Sequence, residues 1–332
     1  MPGQTSLLAE IRGQCALVAE RARSVRIDEA RLGELARELV SGPGYAPPQL
    51  DPAHHHLGDA ASTLAYVVTL DAVNFGSGWF PHLRKRPGCS GYFTLSTALK
   101  EHFDARGAWS AEALEALSPS DCAEVFGQDM TVPEVAELMG LFARALGELG
   151  AFLGARCGGA FEGLVELASG SAERLGALLG EMPLYRDVSA YDGLEVPFYK
   201  RAQITAADLA VAFGGQGHGA FDDLDRLTLF ADNLVPHVLR WEGVLAYAPE
   251  LAGRIDAGEL IPHDCPEEVE IRAVAVHAVE GMTEILAAES NGSGGRGPRS
   301  VSPRELDNLL WTRGQRPDLK AHPRHRTRTT AY

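Results

Sequence analysis

The sequence has no long hydrophobic run, no cysteine pair and no surplus of positive charge, and each absence excludes a class of protein. None of its segments approaches roughly 18 consecutive apolar residues, so we expect no membrane-spanning helix. The cysteines are scattered, and no two of them form a C-x-x-C pair: Cys15, Cys89, Cys122, Cys157 and Cys265. Because secreted disulfide scaffolds use cysteines in paired sets, this odd set indicates reduced thiols, and we expect a cytoplasmic protein.

The charge balance sets a second limit. The 332 residues contain 30 Lys and Arg against 45 Asp and Glu, which gives a formal net charge of -15. An acidic surface repels the phosphate backbone of DNA and RNA, so we expect no nucleic acid polymer as a partner. A free nucleotide remains compatible with this charge, because one local basic pocket is enough to bind a single phosphate group.

Signals for a phosphate loop and for a metal are also missing. The glycine-rich segment 214–219 lacks the Gly-Lys-Ser/Thr ending of a phosphate loop, and no strand pattern precedes it. The adjacent histidines His54, His55 and His56 point in different directions on either a helix or a strand, without acidic or cysteine ligands nearby. We therefore expect neither a metal nor a cofactor.

Helical periodicity runs through most of the chain. We predict a mainly α, single-domain helical bundle over residues 1–332, with a few short strands, a flexible linker at about 290–300 and a basic C-terminal tail at 320–332. The most continuous predicted helix covers residues 266–289 and is apolar nearly all round, which indicates burial. Three local predictions complete the outline: Gly91 to Leu95 as a short strand, Thr205 as a helix N-cap and Pro236 as a helix bend or end.

Two short runs place isolated charges among apolar residues. Lys200 follows two aromatic rings in Phe198 to Gln203, and Asp232 follows an apolar turn in Phe230 to Pro236. An unpaired buried charge is costly, so each of these residues needs a partner. One interpretation is that they face each other and a polar substrate. The other is a buried salt bridge that ties two helices together.

A third group combines a carboxylate, an amide and two rings. Asp71 and Asn74 are three residues apart, which places them on one face of a helix, and Phe75 and Trp79 flank a glycine-rich bend. Such a set suits a flat heteroaromatic ligand, because rings stack on it and amides bind its edge. An equally open interpretation is an aspartate that caps a helix end beside core aromatics.

Charged residues also occur where burial or clustering makes them notable. Glu270 and Arg272 interrupt the apolar surface of the 266–289 helix and therefore need partners. Arg272 either binds the phosphate of a ligand or pairs structurally with Glu268 or Glu270. The C-terminal tail contains Arg324, His325, Arg326 and Arg328 and no acidic residue. It either binds one phosphate group or is a frayed end.

Several runs follow one another across nearly the whole chain. They are Asp71–Phe75 with Trp79, Gly91–Leu95, Gly158–Phe161, Tyr185–Val188, Phe198–Gln203, Phe230–Asp232, Glu268–Arg272, and His325–Arg326 near Tyr332. In this order they resemble the queuosine salvage proteins, which are queuosine 5′-monophosphate N-glycosylases. An ordered set of this kind is more specific than any single motif.

The resemblance implies hydrolysis of the N-glycosidic bond of queuosine 5′-monophosphate with release of queuine, and a helical fold distantly similar to the helix-hairpin-helix DNA glycosylases. It implies Asp232 as the catalytic carboxylate and Lys200 as its partner. The spacing from Asn74 to Trp79 is longer than in the family pattern, and Asn233, Leu234 and His237 depart from it.

The same resemblance implies a set of substrate contacts. Rings would enclose the base, carboxylates and the amide would bind its edge, and basic groups would bind the phosphate: Asp71, Asn74, Phe75, Trp79, Phe198, Arg201, Phe230, Glu270, Arg272, His325 and Arg326. The implied partners are the nucleotide and queuine, with no membrane, and we expect a monomer. Two alternatives remain open: a glycosylase acting on tRNA or DNA polymer, and a non-catalytic base-binding protein.

Overall fold

The structure is a computed structural model that describes residues 6–41, 48–292 and 301–332. Helices dominate it, and the strands are short, so the predicted mainly helical fold with a few short strands is confirmed. The helices are α1 Leu7–Arg21, α2 Glu29–Ser41, α3 Ala60–Ala72, α4 Gly91–Arg106, α5 Ala111–Ala116, α6 Pro119–Phe126, α7 Pro133–Arg156, α8 Phe161–Ala168, α9 Ala172–Leu179, α10 Lys200–Ala212, α11 Val235–Trp241, α12 Pro249–Asp256, α13 Pro266–Gly292, α14 Pro303–Arg313 and α15 Pro317–Lys320. The strands are β1 Val25–Ile27, β2 Val188–Tyr191, β3 Leu194–Pro197 and β4 Leu245–Tyr247.

The chain divides into two compact units that are each built from separate segments. Unit 1 comprises Met1–Pro47, Asp187–Lys200 and Asp225–Arg328, and unit 2 comprises Pro48–Arg186, Arg201–Leu224 and Thr329–Tyr332. The prediction of a single domain and the likeness to helix-hairpin-helix glycosylases stay predictions. The predicted linker at about 290–300 lies outside the described residues from residue 293 onward.

Unit 1 is organised around α13, the helix predicted to be buried. It packs against α1, α2, α11, α14, β1 and β2, and its apolar residues Val269, Ile271 and Val274 are buried. Two antiparallel strand pairs flank it, with Val25 opposite Tyr247 in β1–β4 and Val188 opposite Pro197 in β2–β3. A helix surrounded on so many sides explains why its sequence is apolar nearly all round.

Unit 2 is organised around α7, which packs against α3, α5, α6 and α8. By length and composition α7 could cross a bilayer, with a mean hydropathy of 1.3 over its most apolar window, but 56% of that window is buried inside the unit. Core helices of globular proteins have the same composition. The absence of a membrane-spanning segment stays a prediction.

The structure corrects two local predictions. Gly91 to Leu95 is the first turn of α4 rather than a strand, with the Ser90 side chain accepting a hydrogen bond from the Phe93 amide as N-cap. A short apolar run does not distinguish a strand from a buried helix. Pro236 lies in the first turn of α11 instead of ending a helix, since proline needs no hydrogen-bond donor there.

A third correction bears on the site. Thr205 is not an N-cap: α10 already begins at Lys200, and the Thr205 hydroxyl donates back to the Arg201 carbonyl, 2.9 Å away. Lys200 is thus a first-turn helical residue and not a loop residue.

Two glycines of α7 make the packing of unit 2 testable. A Cβ at Gly150 would lie 2.4 Å from the Ala111 carbonyl oxygen, whereas a Cβ at Gly140 would meet nothing within 4 Å. We expect Gly150→Ala to lower the free energy of unfolding by about 1–3 kcal/mol through overpacking. Gly140→Ala should raise it by about 0.5–1 kcal/mol, because alanine favours the helix. Urea unfolding of both variants checks this, and equal effects would contradict the described packing.

Candidate active site

The segment before α10 is held by one aspartate, Asp187. Its backbone carbonyl accepts hydrogen bonds from the amides of Phe198 at 2.9 Å and Tyr199 at 3.3 Å, and its carboxylate accepts from the Lys200 amide at 3.0 Å. Tyr199 has a φ of 49°, a left-handed conformation that is strained for an aromatic residue. Because Asp187 satisfies the first amide of α10, the helix begins at Lys200.

Asp187 is in turn bound by a buried arginine. The guanidinium of Arg272 donates to both carboxylate oxygens of Asp187, at 2.8 and 2.7 Å, and is completely inaccessible to solvent. It also lies 4.0 Å from the ring centroid of Phe198 and donates from Nε to the Ala231 carbonyl at 3.0 Å. One side chain thereby fixes the segment that precedes Lys200 and the segment that precedes Asp232.

Asp232 combines a structural contact with an available oxygen. Its Oδ1 accepts hydrogen bonds from the amides of Leu234 at 2.7 Å and Val235 at 3.0 Å, which caps α11. Among the described residues, its hydrogen bonds are made at this oxygen, so Oδ2 is left for a ligand. The residue is partly exposed, while Phe230 just before it is buried, and the amide of Phe230 is fixed by Asp307.

The C-terminal tail lies beside this carboxylate instead of fraying. The amide nitrogen of Asn233 donates to the His325 carbonyl at 3.4 Å, and the Ile261 amide donates to the Arg326 carbonyl at 2.8 Å. The charges of Arg324 and Asp232 interact: burial lowers the pKa of the Arg324 guanidinium, and Asp232 opposes this shift. The sequence included Arg324 in a tail that either binds one phosphate group or is a frayed end, but the resemblance implied substrate contacts for His325 and Arg326 only.

Several residues predicted to bind substrate make internal contacts in unit 1. Glu270 accepts hydrogen bonds from the Tyr191 hydroxyl and from the amides of three consecutive residues that lead into β1, Arg23, Ser24 and Val25. Burial lowers the pKa of His325 to about 4, so this histidine is neutral at physiological pH and provides no charge for a phosphate. Arg326 donates to the Gly258 carbonyl. The ligand roles predicted for these residues stay predictions.

Unit 2 contains the other predicted ligand residues. Asn74 donates to Asp71 Oδ1 at 3.3 Å, as their three-residue spacing predicts, and Asp71 is fully buried at the end of α3. Arg201 is buried between the rings of Phe75 and Tyr185, 4.8 and 4.4 Å from their centroids. Its guanidinium donates to the Ala72 carbonyl at 2.7 Å and to the Leu184 carbonyl. Arg201 therefore holds the end of α3 in place.

The aromatic residues around the bend are also packed. Phe75 meets the Phe142 ring edge to face at 5.1 Å, and Trp79 donates from its indole to Glu137 at 2.8 Å. The amide of Gly76, between them, donates to the carbonyl of Tyr332 at 3.0 Å, so the chain end belongs to this unit.

Another carboxylate of unit 2 escaped the sequence analysis. Burial raises the pKa of Tyr66 and of Tyr92, and the negative charges of Asp71 and Asp208 raise both further. Asp208 therefore lies within electrostatic reach of the same phenols as Asp71. The available signal was its position as a lone acid in the apolar run of α10.

The three adjacent histidines have three different partners. His54 contacts the Thr97 hydroxyl at 2.8 Å, His55 contacts that of Tyr92, and His56 contacts Asp104. Within the part of the chain that the structure describes, no group of three or more His, Cys, Asp or Glu side chains is placed to hold a metal ion. The expectation of a metal-free protein stays a prediction.

The geometry therefore assembles part of the predicted set. In unit 1 the Arg272–Asp187 pair supports both the segment of Lys200 and the segment of Asp232. The charge of Arg324 interacts with that of Asp232. Direct contact between Lys200 and Asp232 stays a prediction. Lys200 is 5% exposed, and a buried ammonium must be paired or neutral.

Comparison with known proteins decides the family. The family model described as queuosine salvage protein matches residues 53–332. The chain belongs to the queuosine salvage family. A Sphaerobacter thermophilus protein named queuosine 5′-phosphate N-glycosylase/hydrolase is 37% identical over 322 residues, which are 95% of each chain. The Mus musculus protein of the same name is 32% identical over 338 residues, covering 97% of this chain and 98% of the mouse protein.

The ion pair at the base of the site can be tested by removing its charge. Asp187→Asn should lower the free energy of unfolding by about 3 kcal/mol, because it removes the carboxylate charge that is hydrogen-bonded to the buried Arg272 guanidinium and leaves only Glu268, 3.9 Å away, as a counter-ion. The control is Asp192→Asn, which breaks the more exposed pair with Arg23 and should cost less than about 1 kcal/mol. Urea unfolding compares the two variants, and equal losses would show that the buried pair is not a main support.

Two buried histidines of unit 1 predict loss of stability in acid. Burial lowers the pKa of His237 and of His325 to about 4, below the roughly 6.5 of an exposed histidine. Between these values the unfolded chain binds more protons, so the stabilisation is complete above about pH 6.5 and is lost as the pH falls toward 4. Each histidine should lower the free energy of unfolding by about 2 kcal/mol between pH 7 and pH 5.

His237→Gln tests this dependence, since glutamine does not titrate and can still donate to the Leu319 carbonyl that His237 contacts at 2.9 Å. Its unfolding free energy should fall less steeply between pH 7 and pH 5 than that of the wild type. The exposed His277, replaced by glutamine, is the control and should keep the wild-type slope. A wild-type slope in His237→Gln would contradict the prediction.

Proposed function

We propose that this protein hydrolyses the N-glycosidic bond of queuosine 5′-phosphate and releases queuine. Water adds to C1′ of the ribose, the bond from C1′ to the base nitrogen breaks, and the base leaves with a proton, so the products are queuine and ribose 5-phosphate. Membership of a family whose curated members are named queuosine 5′-phosphate N-glycosylase/hydrolase supports the reaction.

The observation that carries the proposal is the geometry of Asp232. As the glycosidic bond stretches, positive charge develops on the ribose, and a carboxylate at the sugar stabilises it. Oδ1 of Asp232 is fixed by two amides at the start of α11, so Oδ2 has a defined direction before substrate binds. A group that is oriented in advance needs no reorganisation during the reaction, which is how electrostatic catalysis is most effective.

Lys200 and the rings have supporting roles in this proposal. An ammonium group in the first turn of α10 provides positive charge that orients the attacking water. The Arg272 guanidinium covers one face of the Phe198 ring, 4.0 Å from the ring centroid, so that face is not available to stack on the base. A 7-deazapurine has no N7 to protonate, so departure of the base depends on hydrogen bonds at its edges.

The substrate in this proposal is a free nucleotide rather than a polymer. A net charge of -15 repels a nucleic acid backbone, whereas one arginine beside the site is enough for a single phosphate group. We further propose that the protein acts in the cytoplasm as a monomer, without a metal or cofactor. Release of queuine from intact tRNA but not from the free nucleotide would contradict this substrate class.

Asp232→Asn separates the chemistry of this residue from its structural contact. The amide oxygen of asparagine still accepts the hydrogen bonds of Leu234 and Val235, while the negative charge is lost. We expect queuine release from queuosine 5′-phosphate to fall at least about 100-fold in kcat, with an unchanged melting temperature. The release is measured by chromatography of the free base.

Asp232→Ala provides the comparison, because it removes both the charge and the cap of α11. It should lose the same activity and, in addition, about 1 kcal/mol of stability. Wild-type kcat in a folded Asp232→Asn protein would overturn the assignment of the catalytic carboxylate. Inactivity of the wild type toward the nucleotide would overturn the proposed function itself.

A further inference from the structure

Arg324 differs from the other basic residues around Asp232 in its contacts. Among residues 6–41, 48–292 and 301–332, its guanidinium makes neither a hydrogen bond nor an ion pair. Arg324 is only partly exposed, and burial lowers its pKa, because removing the charged guanidinium from water costs free energy. Partly buried arginines normally offset that cost through directed hydrogen bonds, so within the described part of the chain this guanidinium is available to a ligand.

The position of Arg324 is set by its neighbours in sequence. His325 accepts a hydrogen bond from the side chain of Asn233, and Arg326 is bound through its carbonyl to Ile261 and through its side chain to Gly258. These contacts anchor the tail directly after Arg324 to the residue that follows Asp232. Arg324 and Asp232 are consequently close enough for their charges to interact, yet they form no ion pair.

Other basic groups that the sequence offered for a phosphate in this unit are occupied or uncharged. Arg272 is wholly inaccessible and is bound to Asp187. Arg326 donates to a backbone carbonyl, and His325 is buried and neutral. Arg324 combines a positive charge, partial exposure and proximity to Asp232.

We propose that Arg324 binds the 5′-phosphate of the nucleotide and makes the enzyme prefer the nucleotide over the nucleoside. The proposal rests on the function proposed above and adds the residue that distinguishes the two substrates. The guanidinium forms a planar pair of hydrogen bonds with two phosphate oxygens, a geometry that lysine does not reproduce. The phosphate and C1′ belong to the same ribose, so a phosphate on Arg324 brings the glycosidic carbon toward Asp232.

This position has a second electrostatic consequence. A phosphate dianion approaching Asp232 meets like charge, and the positive charge of Arg324, which interacts with Asp232, reduces that repulsion. A nucleoside lacks the phosphate and leaves Arg324 beside Asp232 without its ligand. Because a site built to bind a charged group rejects the analogue that lacks it, discrimination against the nucleoside follows.

The experiment measures kcat/KM for queuine release from queuosine 5′-phosphate and from queuosine in wild type, Arg324→Met and Arg324→Lys. Methionine retains the apolar stem and removes the charge. We expect Arg324→Met to lose about 10- to 100-fold in kcat/KM on the nucleotide, mainly through KM, because charge-assisted hydrogen bonds contribute this much. Activity on the nucleoside should change less than about twofold, and Arg324→Lys should recover part of the loss.

Arg316→Met is the matched control, since Arg316 is an exposed arginine of the same C-terminal region that pairs with Asp318. It should leave both substrates at wild-type values. An equal loss on nucleotide and nucleoside in Arg324→Met would overturn the proposal and assign Arg324 to the support of Asp232 instead. Wild-type kcat/KM on both substrates in a folded Arg324→Met variant would overturn it as well.

The two proposals fail in different ways. A wild-type protein that releases no queuine from either substrate contradicts the proposed function and not the arginine in particular. A wild-type protein that is active on the nucleotide, together with an Arg324→Met variant of unchanged preference, contradicts only the phosphate assignment.

Discussion

The buried ion pair between Arg272 and Asp187 is the interaction on which the site in unit 1 depends. The Arg272 guanidinium donates to both carboxylate oxygens of Asp187 and to the Ala231 carbonyl, and it stacks on Phe198. The same Asp187 carboxylate satisfies the first amide of α10, at Lys200. Removing a counter-ion from a buried pair costs several kcal/mol, so the two segments that carry the proposed catalytic residues are difficult to separate.

A site supported in this way combines rigidity with stored strain. Tyr199 adopts a left-handed backbone directly before Lys200, and three amides bound to Asp187 hold it there. Asp232 divides its carboxylate between a structural oxygen and one that is left for chemistry. Since the charge of an N-glycosidase transition state develops on the sugar, a carboxylate with fixed direction suits the reaction of the family to which the chain belongs.

Local sequence signals predicted some elements well and others poorly. The buried helix α13 follows from its apolar periodicity, which predicted a helix over residues 266–289. The start of α10 did not, because its cap comes from Asp187, thirteen residues earlier in the chain. Arg272 was predicted either to contact the phosphate or to pair with Glu268 or Glu270, and Glu268 does lie 3.9 Å away, one helical turn earlier. Its hydrogen-bonded partner Asp187 is 85 residues away, which no local pattern indicates. For the same reason Asp208 was not selected, and Arg324 was named only as one basic residue of the tail, since the charges near these residues are brought there by the fold.

The sequence by itself determined the helical class, the acidic surface and, through an ordered set of short runs, the family and its expected aspartate. Those properties depend on composition, periodicity and residue identity, which need no coordinates. Only the tertiary structure decided which charges are internal supports and which are available to a ligand. Glu270 and Arg272 are internal because their partners converge on them from distant segments, whereas Asp232 keeps an available oxygen. That distinction depends on the contacts of each charge, and long-range contacts are set by folding.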